Sequence, residues 1–358
     1  MAQCAFLLQD DGTQDEKISV RMLRDAIDSG VNYIDTAYLY HEGESELITG
    51  NALADGYRSK TFLATKSPIW LLNNSDDFDR ILDEQLKKLK TDHIDLYLLH
   101  NIRKEYWRTK VLDFNLFEKA QKAKKAGKVR YIGFSLHDDF NTFKQVTDFY
   151  PWDFCQIQLN YMDTAYQAGL GGLRHAAKKG LGVVIMEPLK GGNLANIPAS
   201  VQAVFDRSAN KRTPVEWALS YLWDMPEVSL VLSGMSSPLQ TEENIAYAAR
   251  SRIGCLSADE RKIVAAANKE FRNITAIPCT ACSYCMPCPH RIAIPYAFTA
   301  FNDYHIGNRE RAEHYYREVV HRFGKMPCEC TTCKECEKLC PQGLKISTLL
   351  ADVHKLFG

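Results

Sequence analysis

Two sets of residues in this chain have types and spacings that could do chemistry. The first is a pair of cysteine runs near the C-terminus. Cys330-x2-Cys333-x2-Cys336-x3-Cys340-Pro341 has the spacing of the bacterial ferredoxin run, in which three cysteines hold one [4Fe–4S] cluster and the fourth serves a second. Cys279-x2-Cys282-x2-Cys285-x2-Cys288-Pro289 repeats it with the last interval one residue short. Structural zinc normally pairs two Cys-x2–4-Cys knuckles across a longer loop, a pattern these triple x2 intervals do not follow. Crosswise ligation would give one cluster on Cys279, Cys282, Cys285 and Cys340, and another on Cys288, Cys330, Cys333 and Cys336. Cys328 is left over. The second set is dispersed: Asp35 and Tyr40 in NYIDTAYLY, Lys66 in ATKSP and His100 in DLYLLH. Singly, these read as a turn cap, a rim aromatic, a solvated lysine and a core imidazole.

The elements that must position them follow from periodicity. Over the first 250 residues an amphipathic run, a Gly and a short strand recur: AIDSG-VNYIDTA, KKAG-KVRYIGFS and AAKKG-LGVVIMEPL. Gly30, Gly127 and Gly180 fit the left-handed residue that ends a helix, with a buried strand following. Further strands are expected at 61–66, 94–100, 153–160 and 228–235. Residues 2–8 would supply an eighth. Segments such as DDFDRILDEQLKKLK carry apolar residues at helical spacing. Eight strands alternating with helices predict an α/β fold, a (β/α)8 barrel over 1–255. The competing doubly wound sheet lacks a Gly-x-Gly-x-x-Gly after its first strand. A helical linker is expected over 256–278, starting at a Ser257 or Asp259 cap, and a small α-helical ferredoxin-like iron–sulfur domain over 279–358.

Composition narrows the class. The chain has 358 residues, 46% apolar and 25% charged, ordinary globular values. Its 44 basic and 44 acidic residues cancel, which argues against nucleic-acid or anionic-membrane partners. Of twelve cysteines, nine lie between Cys279 and Cys340. Met1–Leu8 has neither the charged leader of a signal peptide nor the length of a transmembrane helix. A cytoplasmic, reducing setting is expected, and it suits iron–sulfur clusters. From Cys279 on there are 10 Lys/Arg and 8 Asp/Glu, so the module lacks the acidity of a free-standing ferredoxin.

In residue type, order, strand placement and the five-residue step from Asp35 to Tyr40, the dispersed set resembles the catalytic tetrad of the aldo-keto reductases. The resemblance covers about residues 1–250, and the cysteine module is similar to the ferredoxin-type extension on a subset of that family. It implies an NAD(P)-dependent oxidoreductase acting on a carbonyl/alcohol pair. Tyr40 would donate the proton that accompanies hydride transfer, Lys66 would favour its ionisation, Asp35 would hold that lysine, and His100 would orient the carbonyl oxygen. It also implies nicotinamide contacts at Ser135 and Gln156, a pyrophosphate segment at Leu189, Lys190 and Gly191, and an adenosine grip from Ser233, Gly234, Ser236, Gln240, Glu243 and Asn244.

Three departures from the family pattern stand out. Gln240 occupies a position where many members carry a cation for the 2′-phosphate of NADP, which leaves NADP and NAD both open. Met186 aligns with an aromatic that stacks on nicotinamide. The usual N-terminal hairpin is missing, so the chain is expected to begin inside the first strand. The two halves also differ in electron count, since nicotinamide passes two electrons as hydride and a cubane passes one. Coupling them would require a flavin, for which there is no fingerprint, a redox partner protein, or a substrate that accepts single electrons. Otherwise the clusters are structural. The competing function is an electron-transfer or docking subunit whose barrel no longer catalyses.

Overall fold

The computed structural model describes residues 15–279, 285–307, 309–340 and 342–358. They form two compact units: the described residues of Met1–Ala195 with Thr213–Ser257, and those of Asn196–Arg212 with Ala258–Gly358.

The first unit is built on seven parallel strands: β1 Tyr33–Asp35, β2 Phe62–Ser67, β3 Ile94–Ile102, β4 Val129–Leu136, β5 Phe154–Gln158, β6 Gly182–Met186 and β7 Leu230–Val231. They pair in chain order, β1 through β7, each parallel to the next. A doubly wound sheet reverses its strand order at a switch point; this one never does. All seven strands read from the sequence are present. The eighth, at residues 2–8, lies outside the described residues.

Helices α1 Glu16–Asp28, α2 Ser45–Ala52, α3 Asp76–Lys88, α4 Leu116–Lys125, α5 Phe140–Phe149 and α6 Gly169–Lys178 alternate with the strands. Gly30, Gly127 and Gly180 take φ of +100°, +74° and +80°, the left-handed turn that closes a helix before its strand. Ile34, Leu63, Tyr97, Phe134, Ile157 and Ile185 face outward and are buried beneath these helices. The alternate residues face inward, where Tyr33, Ala64, Leu98, Phe154, Val184 and Leu232 form one cluster. In a flat sheet, strands β1 and β7 would stand roughly 29 Å apart, six spacings of about 4.8 Å. The sheet is therefore curled around an inner core. At the N-terminal end of the strands, buried Asp95 accepts from the Leu63 amide at 2.9 Å and pairs with Arg58 and Arg130, each at 2.8 Å, knitting β2, β3 and β4 together.

The second unit contains α7 Ala199–Phe205, α10 Ala258–Ile274, α11 Ile294–His305 and α12 Ile346–Phe357, numbered after α8 Pro214–Trp223 and α9 Pro238–Ala249 of the first. Glu260 on α10 holds Arg212 and accepts from Asn210 at 3.1 Å. The unit has its own core of Ile277, Ile292, Ile294, Phe298, Tyr316, Ile346, Leu350 and Val353, which includes Cys288 and Cys336. The stretch 292–326 is largely helical, in line with the sequence reading.

The inner core has little slack at Gly133 of β4. A Cβ there would come within 2.6 Å of the Phe154 ring. Gly133→Ala is expected to destabilise the first unit by about 1–3 kcal/mol through overpacking. Adding Phe154→Leu should recover part of that loss in thermal unfolding, because the two positions are coupled.

Candidate active site

The dispersed polar set converges on one rim, at the C-terminal ends of the strands. Asp35 ends β1 and Lys66 lies one residue from the end of β2; both are fully buried. The Lys66 ammonium donates to Asp35 Oδ1 at 2.6 Å and to the Thr36 carbonyl at 2.7 Å. Burial pushes the Asp35 carboxyl up, and the Lys66 charge draws it back.

Tyr40 opens a short helical turn, Tyr40–Gly43, in which His41 and Glu42 take left-handed backbone at φ of +51° and +57°. That turn sets the Tyr40 ring against Lys66, whose Nζ lies 4.7 Å from the ring centroid. His100 meets the edge of Tyr40 at 6.0 Å between centroids. All four residues thus stand together at one rim.

His100 owes its position to a bulge in β3. Pairing with β4 slips between Leu99 and Ile102, Asn101 takes φ +57°, and its amide donates to Ser135 Oγ at 2.8 Å in place of a ladder carbonyl. Burial holds the His100 imidazole well below its ordinary pKa, and Lys66 and His137 add to the effect. The ring is therefore neutral at physiological pH and carries one N–H.

Ser135 and Gln156 are register partners on β4 and β5, both buried. Gln156 Nε2 donates to Met186 Sδ at 3.7 Å, and its Oε1 has no partner. After β6, Lys190 at φ +50° closes on Asp163 with contacts of 2.8 and 2.7 Å, and the Gly191 amide donates to Glu187 at 2.6 Å. Leu189 is half-buried beside them. Beyond β7, Asn244 donates to Ser233 Oγ at 3.0 Å, and Gln240 Oε1 accepts from the Ser236 amide at 2.8 Å. Ser237 caps α9; Gln240 and Glu243 are exposed in its first turns, and Gly234 is exposed ahead of the cap.

Sequence reasoning missed four residues here. Trp70, in the loop after β2, lies 5.0 Å from His100 between ring centroids. His137 follows β4 and lies near Gln167. Asp163 neutralises Lys190 and also accepts from Gln158 and Asn160, each at 3.1 Å. Glu46 sits behind Lys66. None of the four belongs to a spaced motif.

In the second unit, buried Cys336 lies within the electrostatic reach of Cys288, Cys330 and Cys333. Burial first, and then those neighbours, pushes its thiol up to about 11. Cys279, Cys285, Cys330 and Cys340 pack partly buried against the same core. Cys282 lies outside the described residues. Among the described residues, no group of three or more Cys, His, Asp or Glu is gathered closely enough to hold a metal ion, and none of their helices is long and apolar enough to cross a membrane.

A curled parallel α/β sheet with a buried ammonium, a carboxylate, a phenol and an imidazole on its C-terminal rim defines a class of oxidoreductase scaffold. The sequence matches the aldo/keto reductase family over residues 6–268, and the chain belongs to that family. It is 33% identical over 201 residues to the uncharacterized oxidoreductase YrpG of Bacillus subtilis, a match covering 50% of this chain and 60% of that protein. Among solved structures it resembles aldo-keto reductase AKR11C1 from Bacillus halodurans in its holo form (TM-score 0.63, 23% identity, 75% of this chain, 90% of that one). It also resembles an aldo/keto reductase from Klebsiella pneumoniae in complex with NADP and acetate (TM-score 0.58, 22% identity, 74% and 89%).

The two neutral imidazoles make stability depend on pH. His137 is lowered from 6.5 to about 4, chiefly by burial. The unfolded chain therefore takes up protons before the folded one does, so stability is full above about pH 6.5 and falls as acid is added. His137→Gln should flatten the decline between pH 6.5 and 4, as followed by thermal midpoints across that range.

Proposed function

We propose that this chain is an NAD(P)-dependent oxidoreductase that interconverts a small-molecule carbonyl and its alcohol. One observation carries the reading: an ammonium buried at the rim, bonded to Asp35 and standing 4.7 Å from the Tyr40 ring centroid. Burying a charge costs several kcal/mol even when it is paired. A barrel kept only for docking has no use for it.

The residues present suit the cofactor. Gln156 offers an unpartnered buried carbonyl oxygen, and Ser135 has a hydroxyl proton uncommitted by the bond it accepts, a donor and an acceptor at one level for a carboxamide. The loops carrying Leu189, Lys190 and Gly191, and Ser233, Gly234, Ser236, Gln240, Glu243 and Asn244, would hold the phosphates and adenosine. When bound, reduced nicotinamide supplies a hydride to the carbonyl carbon. Tyr40 gives its proton to the carbonyl oxygen and is reprotonated from solvent. Lys66 stabilises the phenolate left behind, and Asp35 keeps Lys66 charged and aimed. The neutral His100 donates its N–H to the oxygen as charge builds there. Gln240 cannot ion-pair with a 2′-phosphate and Lys190 is already bound by Asp163, so NADH is expected to be used alongside NADPH, as a comparison of dissociation constants will show.

The reading extends to the cysteine module. Cys288 comes from the first run, yet it lies near enough to Cys336 to influence its thiol, as Cys330 and Cys333 do, the neighbourhood from which crosswise ligation would draw its second set. None of Cys288, Cys330, Cys333, Cys336 and Cys340 is in a disulfide, which leaves their thiols available as ligands. Cys279, Cys282, Cys285 and Cys340 would hold one; Cys288, Cys330, Cys333 and Cys336 the other. Such clusters pass single electrons or brace the fold.

Two measurements test these assignments. Tyr40→Phe should lower kcat by about 10²–10⁴ with cofactor affinity unchanged; an unaltered kcat removes Tyr40 as the acid. Anaerobically prepared protein should carry about eight irons, by the two-cubane motif. Cys340→Ser should damage the cluster of the first run and spare the one anchored by Cys330, Cys333 and Cys336. A single cluster would mean the first run is misread, and stoichiometric zinc would overturn the assignment.

A further inference from the structure

The turn carrying Tyr40 is fixed at its far end by the first two residues of α2. Ser45 Oγ and Thr36 Oγ1 lie 2.7 Å apart, and Thr36 is the residue after Asp35. Glu46, fully buried, accepts from Thr65 Oγ1 at 2.7 Å, and Thr65 is the residue before Lys66. Adjacent side chains of one helix thus grip the strand neighbours of both charged rim residues.

Glu46 is gripped in turn. Gln85 Nε2 donates to Glu46 Oε1 at 2.6 Å and to the Lys66 carbonyl at 3.1 Å, while Gln85 Oε1 accepts from the Tyr97 hydroxyl at 2.8 Å. The nearest cation to its second oxygen, Lys88 Nζ, stands 3.8 Å away and is partly exposed. A carboxylate placed this deep with so little direct compensation is a costly way to hold a helix, since an apolar residue of similar volume would fill the space at lower cost. What a carboxylate adds is direction: a fixed acceptor for Thr65, which sets the height of Lys66 on β2 relative to the turn that carries Tyr40.

We propose that Glu46 is a positioning residue for the proton-donating pair, setting the separation of Tyr40 and Lys66 through Thr65 and Gln85. The inference rests on the reading of Tyr40 as the acid. Glu46 touches neither the phenol nor the carbonyl; it acts through the strand. A displacement of about 1 Å in such a pair can cost on the order of 100-fold in rate.

The test is a double-variant cycle on the full, iron-loaded chain, with NADPH or NADH and methylglyoxal, glyceraldehyde and benzaldehyde as probes. Glu46→Ala is expected to lower kcat by about 10- to 100-fold, with KM for the aldehyde and Kd for the nicotinamide within about two-fold, by analogy with losses confined to the transition state. Glu46→Gln, which keeps an oxygen acceptor, should recover most of that rate. In the Tyr40→Phe background, Glu46→Ala should cost almost nothing more, because there is no longer a phenol to position. An equal further loss in that background, or a native kcat in Glu46→Ala, overturns the inference. An unchanged kcat in Tyr40→Phe alone would instead sink the reading of Tyr40. Should Glu46→Ala fail to fold, Thr65→Val removes only the hydroxyl and is read by the same cycle.

Discussion

The buried bond between Lys66 and Asp35 constrains the rest of the first unit. An ammonium with no exposed surface must be compensated at short range, and removing one member of such a pair typically costs about 3–5 kcal/mol. Here compensation comes from the end of the neighbouring strand, through the Asp35 carboxylate of β1 and the backbone carbonyl of Thr36 just after it. That requires β1 and β2 to hold their register at the rim, with Asp35 opposite Ala64. The curl of the sheet then brings the His100 bulge, Ser135 and Gln156 around the same opening. The left-handed turn at His41 and Glu42 places a phenol over the charge. Once the pair is fixed, each other rim group has few places to go.

Much of this was legible in the sequence, for identifiable reasons. Parallel strands buried on both faces read as unbroken runs of β-branched and aromatic residues, which is why YIDTA, FLATK and VVIM announced themselves. The glycine that closes each helix marked where the next strand begins. Asp35, Lys66 and His100 could be named because each lies at or near a strand end, and Tyr40 because it follows one closely, where the barrel principle puts chemistry. Their mutual distances had no local signature. Neither did the bulge at Asn101, whose amide bonds a serine 34 residues away. Trp70, His137 and Asp163 escaped notice because loop side chains acquire meaning only from what the fold sets beside them. The grouping of Asn196–Arg212 with Ala258–Gly358 joins segments separated by a whole strand and two helices, and no pattern in either announces it.

The second unit poses a different physical question. Its cysteines serve as core side chains as much as surface thiols, with Cys288 and Cys336 buried among Ile292, Phe298 and Leu350. Metal that binds such a set contributes to folding as well as to redox chemistry. In the proposed reaction the first unit needs no cluster: the hydride brings both electrons to the carbonyl carbon, and a proton to the oxygen completes the alcohol. One-electron carriers enter only if the electrons arrive or leave by another route.

Isotope transfer separates those routes. With nicotinamide carrying deuterium at the transferring C4 position and an aldehyde from the panel above, the product alcohol is analysed by mass spectrometry. Hydride chemistry at the rim predicts one deuterium on the carbinol carbon for each nicotinamide oxidised, and little product from Lys66→Met. Nicotinamide oxidation that yields unlabelled alcohol, or labelled alcohol formed at the native rate by Lys66→Met, would contradict it.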